Sequence, residues 1–90
     1  MKEIIKFDES NSQYINDIDK NKMFLVCEST YINDLLRAKG YIYLNDIYEI
    51  FCDEWDPKRE NVCILHEDVK KINFDFERLG EYGFLRTITW

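Results

Sequence analysis

The sequence predicts an α+β fold in which one main helix and a short second helix pack on a small, mostly antiparallel sheet. Two patterns predict it. Apolar residues recur at steps of three and four over one long segment, and they alternate with polar residues over several short ones. With 90 residues, of which 46% are hydrophobic and 16% aromatic, the chain can form a single α+β domain, residues 1–90, around its own core.

The first half of the chain predicts one strand and the main helix. Lys2–Phe7 is short and rich in Ile and Phe, which favours a strand, and Ser10–Lys20 is expected to be a loop with one helical turn at most. Helical spacing covers Lys22–Lys39, and Gly40 is expected to end that helix because glycine adopts positive φ without a steric penalty. The predicted buried stripe is Phe24, Cys27, Tyr31, Leu35 and Ala38, widened by Leu25, Ile32 and Leu36, with Ser29, Asn33 and Arg37 on the opposite face.

The second half predicts a short helix and the remaining strands. Asn45 is expected to cap this helix by accepting a backbone N–H, and Asp46 and Glu49 suit the positive end of its dipole. Its predicted buried residues are Leu44, Ile47, Ile50 and Phe51. Strands are expected at Tyr41–Leu44, Val62–Leu65, Ile72–Glu77 and Phe84–Thr89, the last two forming an antiparallel hairpin that turns at Gly80 and Gly83.

These strands are expected to form one sheet. Its predicted packing partners are Phe24, Tyr31, Leu35, Ile47, Ile50 and Phe51, with Phe74 and Phe76 of the sheet opposite them.

Composition and charge exclude several classes of protein. The longest uninterrupted apolar stretch, Met23–Cys27, is far shorter than the ~20 residues of a membrane span, and the first residues do not form a signal peptide, so a cytoplasmic protein is expected. The net charge of -6 opposes direct binding to nucleic acid or to an anionic membrane. Cys27, Cys52 and Cys63 are expected to be reduced and to serve as small core residues.

The negative charge is concentrated in the second half of the chain. Asp46–Glu60 holds six acidic residues against two basic ones, with Trp55 among them. One interpretation is a binding surface for a basic protein. The other is a solvated loop, Asp53–Glu60, whose charge only maintains solubility. The predicted partner-binding residues are Asp53, Glu54, Trp55, Asp56, Glu60, Glu67 and Asp68.

Support for catalysis or for a metal site is weak in the sequence. Cys63 and His66 are a minimal nucleophile and base, but residues three apart on one strand point to opposite faces. Cys52, Cys63 and His66 supply only three potential zinc ligands, without a CxxC pair. The carboxylates near Asp53 lack the spacing of a calcium loop. We therefore predict no catalytic residues, no metal and no cofactor.

Part of the chain resembles a known group of proteins. FDES at Phe7–Ser10, MFL at Met23–Leu25 and the continuous stretch YINDLLRAKGYIYLNDIYEI at Tyr31–Ile50 resemble the soluble C-terminal part of an uncharacterised family of phage and prophage proteins. The resemblance covers about residues 7–51 and leaves the second half of the chain, with most of the acidic region, outside. Family members usually carry an apolar N-terminal segment, absent here, and a stretch ending in Gly-Trp where this chain has DEWDPKRENVCILH. The resemblance implies an origin in a mobile element and no activity.

Three functional hypotheses follow. The first is a non-enzymatic protein-binding module that inhibits a nucleic-acid-binding host defence protein, as anti-CRISPR proteins do. Its carboxylates would occupy the place of phosphates on a basic surface, and Trp55 would be the apolar anchor. The second is a phage structural or accessory component that self-assembles through the edge of the C-terminal hairpin or through the aromatic strand. A Cys63/His66 enzyme is the third.

Overall fold

The computed structural model describes residues 1–51 and 56–90. Within these ranges the chain forms the predicted α+β arrangement, with two α-helices, one 3₁₀-helix and five strands. In chain order the elements are β1 (Lys2–Phe7), α1 (Ile18–Lys39), β2 (Tyr41–Tyr43), α2 (Leu44–Ile50), the 3₁₀-helix η1 (Pro57–Arg59), β3 (Cys63–Leu65), β4 (Asn73–Leu79) and β5 (Gly83–Thr89).

The strands form two sheets, and the prediction of a single sheet was wrong. One sheet has the antiparallel order β1-β5-β4, and the other consists of the antiparallel pair β2-β3. The reason is the length of β2. It lies directly between Gly40, which ends α1, and Leu44, which begins α2, so only three residues are extended and they pair with β3 alone. The predicted C-terminal hairpin is confirmed as β4-β5.

The ends of α1 are set by local hydrogen bonds. The helix begins at Ile18, four residues before the predicted start, because the Asp17 side chain caps it and accepts a hydrogen bond from the Lys20 backbone N–H at 3.1 Å. It ends as predicted. Gly40 has φ of 83°, and its N–H donates to the Leu36 carbonyl oxygen at 2.8 Å.

The buried face of α1 differs from the predicted stripe. Cys27, Tyr31 and Ala38 are exposed, and Phe24 and Leu35 are half-buried. Asn33, predicted on the solvent face, is half-buried and hydrogen-bonded to the backbone of Ile72. The buried face of α1 is rotated from the predicted stripe because polar side chains on it form hydrogen bonds or ion pairs inside the protein. The buried residues are Asn21, Leu25, Glu28, Ile32 and Leu36.

The two helices cover one face of the three-stranded sheet. Apolar residues of α1, α2, β2 and β3 meet Ile5, Ile72 and Ile88 in one core cluster. Phe74 and Phe76 of β4, predicted to lie opposite the packing residues of the helices, are on this inner face as predicted. The ring of Phe74 contacts that of Phe51 edge-on at 6.4 Å, and Phe76 packs on a second cluster. They belong there because inward residues of β4 alternate with the exposed Asn73, Asp75 and Glu77.

The predicted buried side of α2 is confirmed for Leu44, Ile47 and Phe51, and Ile50 is half-buried. Neither α-helix of the described ranges combines the length and apolar character needed to cross a bilayer.

Candidate protein-binding surface

The segment that links the two halves of the fold carries all of the net charge. Residues 41–68, here called the acidic segment, hold eight acidic and two basic residues, a net charge of -6, which equals that of the whole chain. Residues 1–40 and 69–90 together hold ten acidic and ten basic residues and are neutral. The segment contains β2, α2, η1 and β3. The polarity seen in the sequence therefore falls in one contiguous segment of the chain.

The two-stranded sheet of this segment has one buried and one exposed face. Ile42 and Ile64 point into the core and are almost fully buried. Because alternate side chains of a strand point to opposite faces, their neighbours point outward. These neighbours form the β2–β3 face, which consists of Tyr41, Tyr43, Cys63 and Leu65, all exposed.

The register aligns the β2–β3 face into two cross-strand pairs. Tyr41 lies opposite Leu65, and Tyr43 lies opposite Cys63. The rings of Tyr41 and Tyr43 meet edge-on at 5.8 Å, and 43% of Tyr43 is exposed. The face is therefore a small aromatic platform on the surface of an acidic unit.

Carboxylates flank this platform at the Tyr43 end. An open groove of about 590 Å³ is lined by Tyr43 and Cys63 from the face and by Asp46 and Glu60 beside it. Asp46 also fixes the start of α2, since its carboxylate accepts a hydrogen bond from the Tyr43 backbone N–H at 3.2 Å. Glu60 is exposed. Aromatic area and negative charge are thus adjacent.

Asn45 supports the groove from below, and its predicted role as a helix cap was wrong. Asn45 lies inside α2, whose N-terminal cap is Tyr43, and it is 5% exposed. Its side-chain oxygen accepts hydrogen bonds from the backbone N–H of Asp56 at 3.3 Å and from Arg59 Nε at 3.1 Å, while Nδ2 donates to the Asp56 carbonyl at 3.1 Å. The side chain thereby joins α2 to η1.

The two basic residues of the acidic segment, Lys58 and Arg59, do not line the groove. The Arg59 guanidinium lies over the Tyr48 ring, 3.6 Å from its centroid, and is 3.9 Å from the Asp56 carboxylate. Its charge is held within the segment by these contacts. Lys58 is exposed.

The predicted partner-binding residues do not form one cluster. Asp53, Glu54 and Trp55 lie outside the described residues, as does Cys52. Asp56 has a structural role, because its carboxylate caps η1 by accepting a hydrogen bond from the Lys58 backbone N–H at 2.9 Å. Glu67 and Asp68 are exposed but follow β3, whereas Glu60 precedes it, so about 10 Å of strand separates them. Of the described candidates, Glu60 alone lines the groove.

The cysteine and histidine candidates are also separated. Cys63 is exposed on the β2–β3 face, and Cys27 is exposed on α1, so the prediction that both are core residues was wrong. In each case the next residue along the chain is buried instead, Glu28 on α1 and Ile64 on β3. His66 follows the end of β3, and its backbone N–H donates to the Gly40 carbonyl at 2.9 Å. The described residues contain no group of three or more His, Cys, Asp or Glu placed to hold a metal ion.

A buried ion pair lies at the centre of the fold. Arg86 of β5 is 1% exposed and Glu28 of α1 is 8% exposed, with Arg86 Nη1 at 3.3 Å from Glu28 Oε1. The guanidinium also lies 3.9 Å from the centroid of the Phe51 ring. Burial raises the pKa of Glu28 from its ordinary value of 4.5 to about 7, and the Arg86 charge opposes this only in part.

Sequence reasoning missed both residues of this pair, although the signal was present. Arg86 has the same alternation as the inward-facing Phe84 and Ile88, and Glu28 stands at helical steps from Leu25 and Ile32. The predicted core omits both residues, and charged residues are rarely fully buried unless they are paired. The pair is enclosed by core side chains, which gives it a structural role rather than a place in a binding surface.

Comparisons with models of protein families, with curated proteins and with solved structures find no match to this chain.

Proposed function

We propose that this protein is a non-enzymatic protein-binding module that uses the β2–β3 face and its flanking carboxylates to bind a basic surface of another protein. The observation that carries the proposal is the exposed pair Tyr41 and Tyr43 on a unit that holds all of the net charge. Tyrosine is enriched at interfaces because it offers a large contact area at low entropic cost.

The rigidity of the platform supports the proposal. Ile42 and Ile64 anchor its underside in the same core cluster as residues of α1, β1 and β5. Asn45 ties α2 to η1 beside it. A surface held in this way pays little conformational entropy on binding, so more of the contact energy remains as affinity.

Charge determines the class of partner. Asp46 and Glu60 lie within the same groove as Tyr43, and the segment around them is strongly negative. Such a surface attracts a basic partner over long range and speeds its association. A protein that binds nucleic acid presents a surface of this kind. The resemblance to phage and prophage proteins makes a host defence protein of that type the proposed target, with inhibition by occupation of its nucleic-acid groove.

The test is affinity capture from a bacterial lysate with matched variants. The protein captures a basic protein, and D46N/E60K reduces that capture at least about tenfold. Asn at position 46 keeps an oxygen that can accept the Tyr43 N–H, so the start of α2 is preserved. The control E9Q/E81K makes the same change in net charge at two exposed residues outside the acidic segment and keeps the partner.

A second pair of variants tests the aromatic part. Tyr43→Ser reduces capture, whereas Tyr31→Ser, which removes an even more exposed tyrosine from α1, does not. Equal capture by Tyr43→Ser and Tyr31→Ser, or by D46N/E60K and its control, contradicts the proposal.

Self-assembly is the second candidate function, and one observation favours it. β4 pairs with β5 on one side, and no described strand pairs with its other edge, along seven residues. Such an edge is a template for another strand. An oligomer in light scattering that survives reversal of surface charges favours this candidate, because edges pair through backbone hydrogen bonds.

A further inference from the structure

The three-stranded sheet has an outer face that no described element covers. Alternate residues of the three strands form this outer sheet face, and the register aligns them in three rows that cross all three strands. The strand at one side, β1, is basic on this face, and the strand at the other side, β4, is acidic. The rows are Lys2, Thr89 and Asn73; Ile4, Thr87 and Asp75; and Lys6, Leu85 and Glu77.

Among the described residues, the charges on this face form no ion pair, although Lys6 acts electrostatically on the nearby Asp8 carboxylate at the end of β1. Lys6 and Glu77 share a row but stand on either side of β5, two strand spacings or about 10 Å apart. The ion pairs among the described residues lie elsewhere. Lys2, Lys6, Asp75 and Glu77 are all exposed. The face therefore presents separated columns of opposite sign.

The middle of the face is apolar or neutral. Leu85 and Thr87 of β5 are half-buried, and Ile4 of β1 is 56% exposed. Residues 1–40 and 69–90, which include all three strands, are neutral in sum. A partner for this face thus needs a neutral centre with one acidic and one basic side.

We infer that the occupant of the outer sheet face is the same face of a second copy of this chain. A two-fold axis that runs parallel to the strands, between two stacked sheets, exchanges the two sides of the face. It places the basic β1 column of each copy over the acidic β4 column of the other. Lys6 then lies opposite the partner's Glu77, and Leu85 lies against the partner's Leu85. Sheets stack about 10 Å apart, a gap that Lys and Glu side chains span together.

Other two-fold arrangements of the stacked sheets are disfavoured by charge. An axis perpendicular to the strands places β1 over β1 and β4 over β4, so that like charges face each other. The basic column of β1 and the acidic column of β4 are therefore complementary to those of a second copy in only one of these orientations. Such self-complementarity is the property of an isologous interface.

The size of the face predicts a weak dimer. Three strands and three rows span about 10 Å by 14 Å, well below the area of a stable interface. We expect dimers at concentrations of about 0.1–1 mM at low ionic strength, and their dissociation as salt is added. This inference does not depend on the proposed function, which uses a different sheet.

Sedimentation velocity with charge-swapped variants tests the dimer. K2E/K6E makes the face acidic on both sides, and D75K/E77K makes it basic on both sides, so each variant alone is expected to be monomeric, with association weakened at least about tenfold. An equimolar mixture of the two restores complementary columns and is expected to dimerise. The quadruple variant K2E/K6E/D75K/E77K is again self-complementary and is expected to dimerise alone.

The control K22E/K39E makes the same change in net charge as K2E/K6E at exposed residues of α1. It is expected to retain the dimer. A wild-type chain that stays monomeric at 2 mM and low salt overturns the inference. Two other results also overturn it. One is that K2E/K6E dimerises as strongly as its control, and the other is that the mixture of K2E/K6E and D75K/E77K remains monomeric.

Discussion

Three asparagines each bind the backbone of another segment through both atoms of the side-chain amide. In every case the oxygen accepts a backbone N–H and the nitrogen donates to the carbonyl of the same residue, at 2.7–3.3 Å. The pairs are Asn21 with Ile15, Asn33 with Ile72, and Asn45 with Asp56. These side chains satisfy buried backbone groups of irregular segments, which would otherwise lose their hydrogen bonds to water without compensation.

Replacing Asn45 tests the importance of these contacts. We expect Asn45→Ala to lower the free energy of unfolding by about 2–3 kcal/mol, because it removes three partly buried hydrogen bonds to the Asp56 backbone and the Arg59 side chain. It is also expected to speed tryptic cleavage at Lys58 and Arg59, since η1 loses its attachment to α2. Asn61→Ala, at an exposed position, is the control. Equal stability and cleavage for the two variants would show that the contact is dispensable.

The Glu28 carboxyl predicts an unusual dependence of stability on pH. The unfolded chain protonates Glu28 near pH 4.5, whereas the folded chain does so near 7. Between these values the folded state binds more protons, so stability falls as the pH rises from about 4.5 to about 7. The loss from this group is on the order of 3 kcal/mol, since each unit of pKa difference corresponds to ~1.4 kcal/mol.

Denaturant unfolding across pH 4.5–8 measures this effect. In Glu28→Gln the side chain does not titrate, so the stability of this variant relative to wild type should increase as the pH rises through that range. Glu81→Gln, at an exposed residue, should follow the wild-type profile. A constant difference between Glu28→Gln and wild type would refute a raised Glu28 pKa.

For the helices and strands, local sequence signals predicted where the elements begin and end better than they predicted which side chains are buried. β1, the end of α1 at Gly40 and the β4-β5 hairpin depend on neighbouring residues, and all were predictable. The buried face of α1 depends on partners far along the chain. Glu28 is inside because Arg86 lies beneath it, and Asn33 is half-buried because Ile72 offers a free N–H and carbonyl. Periodicity alone does not contain that information.

Gly83 controls the fit between the hairpin and β1. A Cβ at this position would lie 2.7 Å from the carbonyl oxygens of both Leu79 and Phe7, which are backbone atoms. We expect Gly83→Ala to cost about 2–3 kcal/mol of unfolding free energy, because neither oxygen can move without shifting a strand. Gly80 has φ of 67° with open space around it, so Gly80→Asn should cost less than about 1 kcal/mol. Comparable thermal midpoints for the two variants would contradict this packing account.

At the scale of the whole molecule, charge and aromatic exposure coincide in the acidic segment. The sequence located the negative charge, and it identified Glu60 as a candidate. The β2–β3 face was not predictable, because the pairing of Tyr41 and Tyr43 with β3 determines which side chains remain exposed. The sequence predicts β2 as part of one larger sheet. A different set of neighbouring strands there would change which side chains of β2 are exposed.

The central claim is that this acidic aromatic surface binds a basic protein, and the dissociation constant of the purified complex tests it most directly. Measured by calorimetry at increasing ionic strength, the affinity of the wild-type chain should fall with salt. At low salt D46N/E60K should bind at least about tenfold more weakly than E9Q/E81K, since only the former removes charge from the groove beside Tyr43. Equal dissociation constants for the two variants, with no dependence on salt, would contradict the claim.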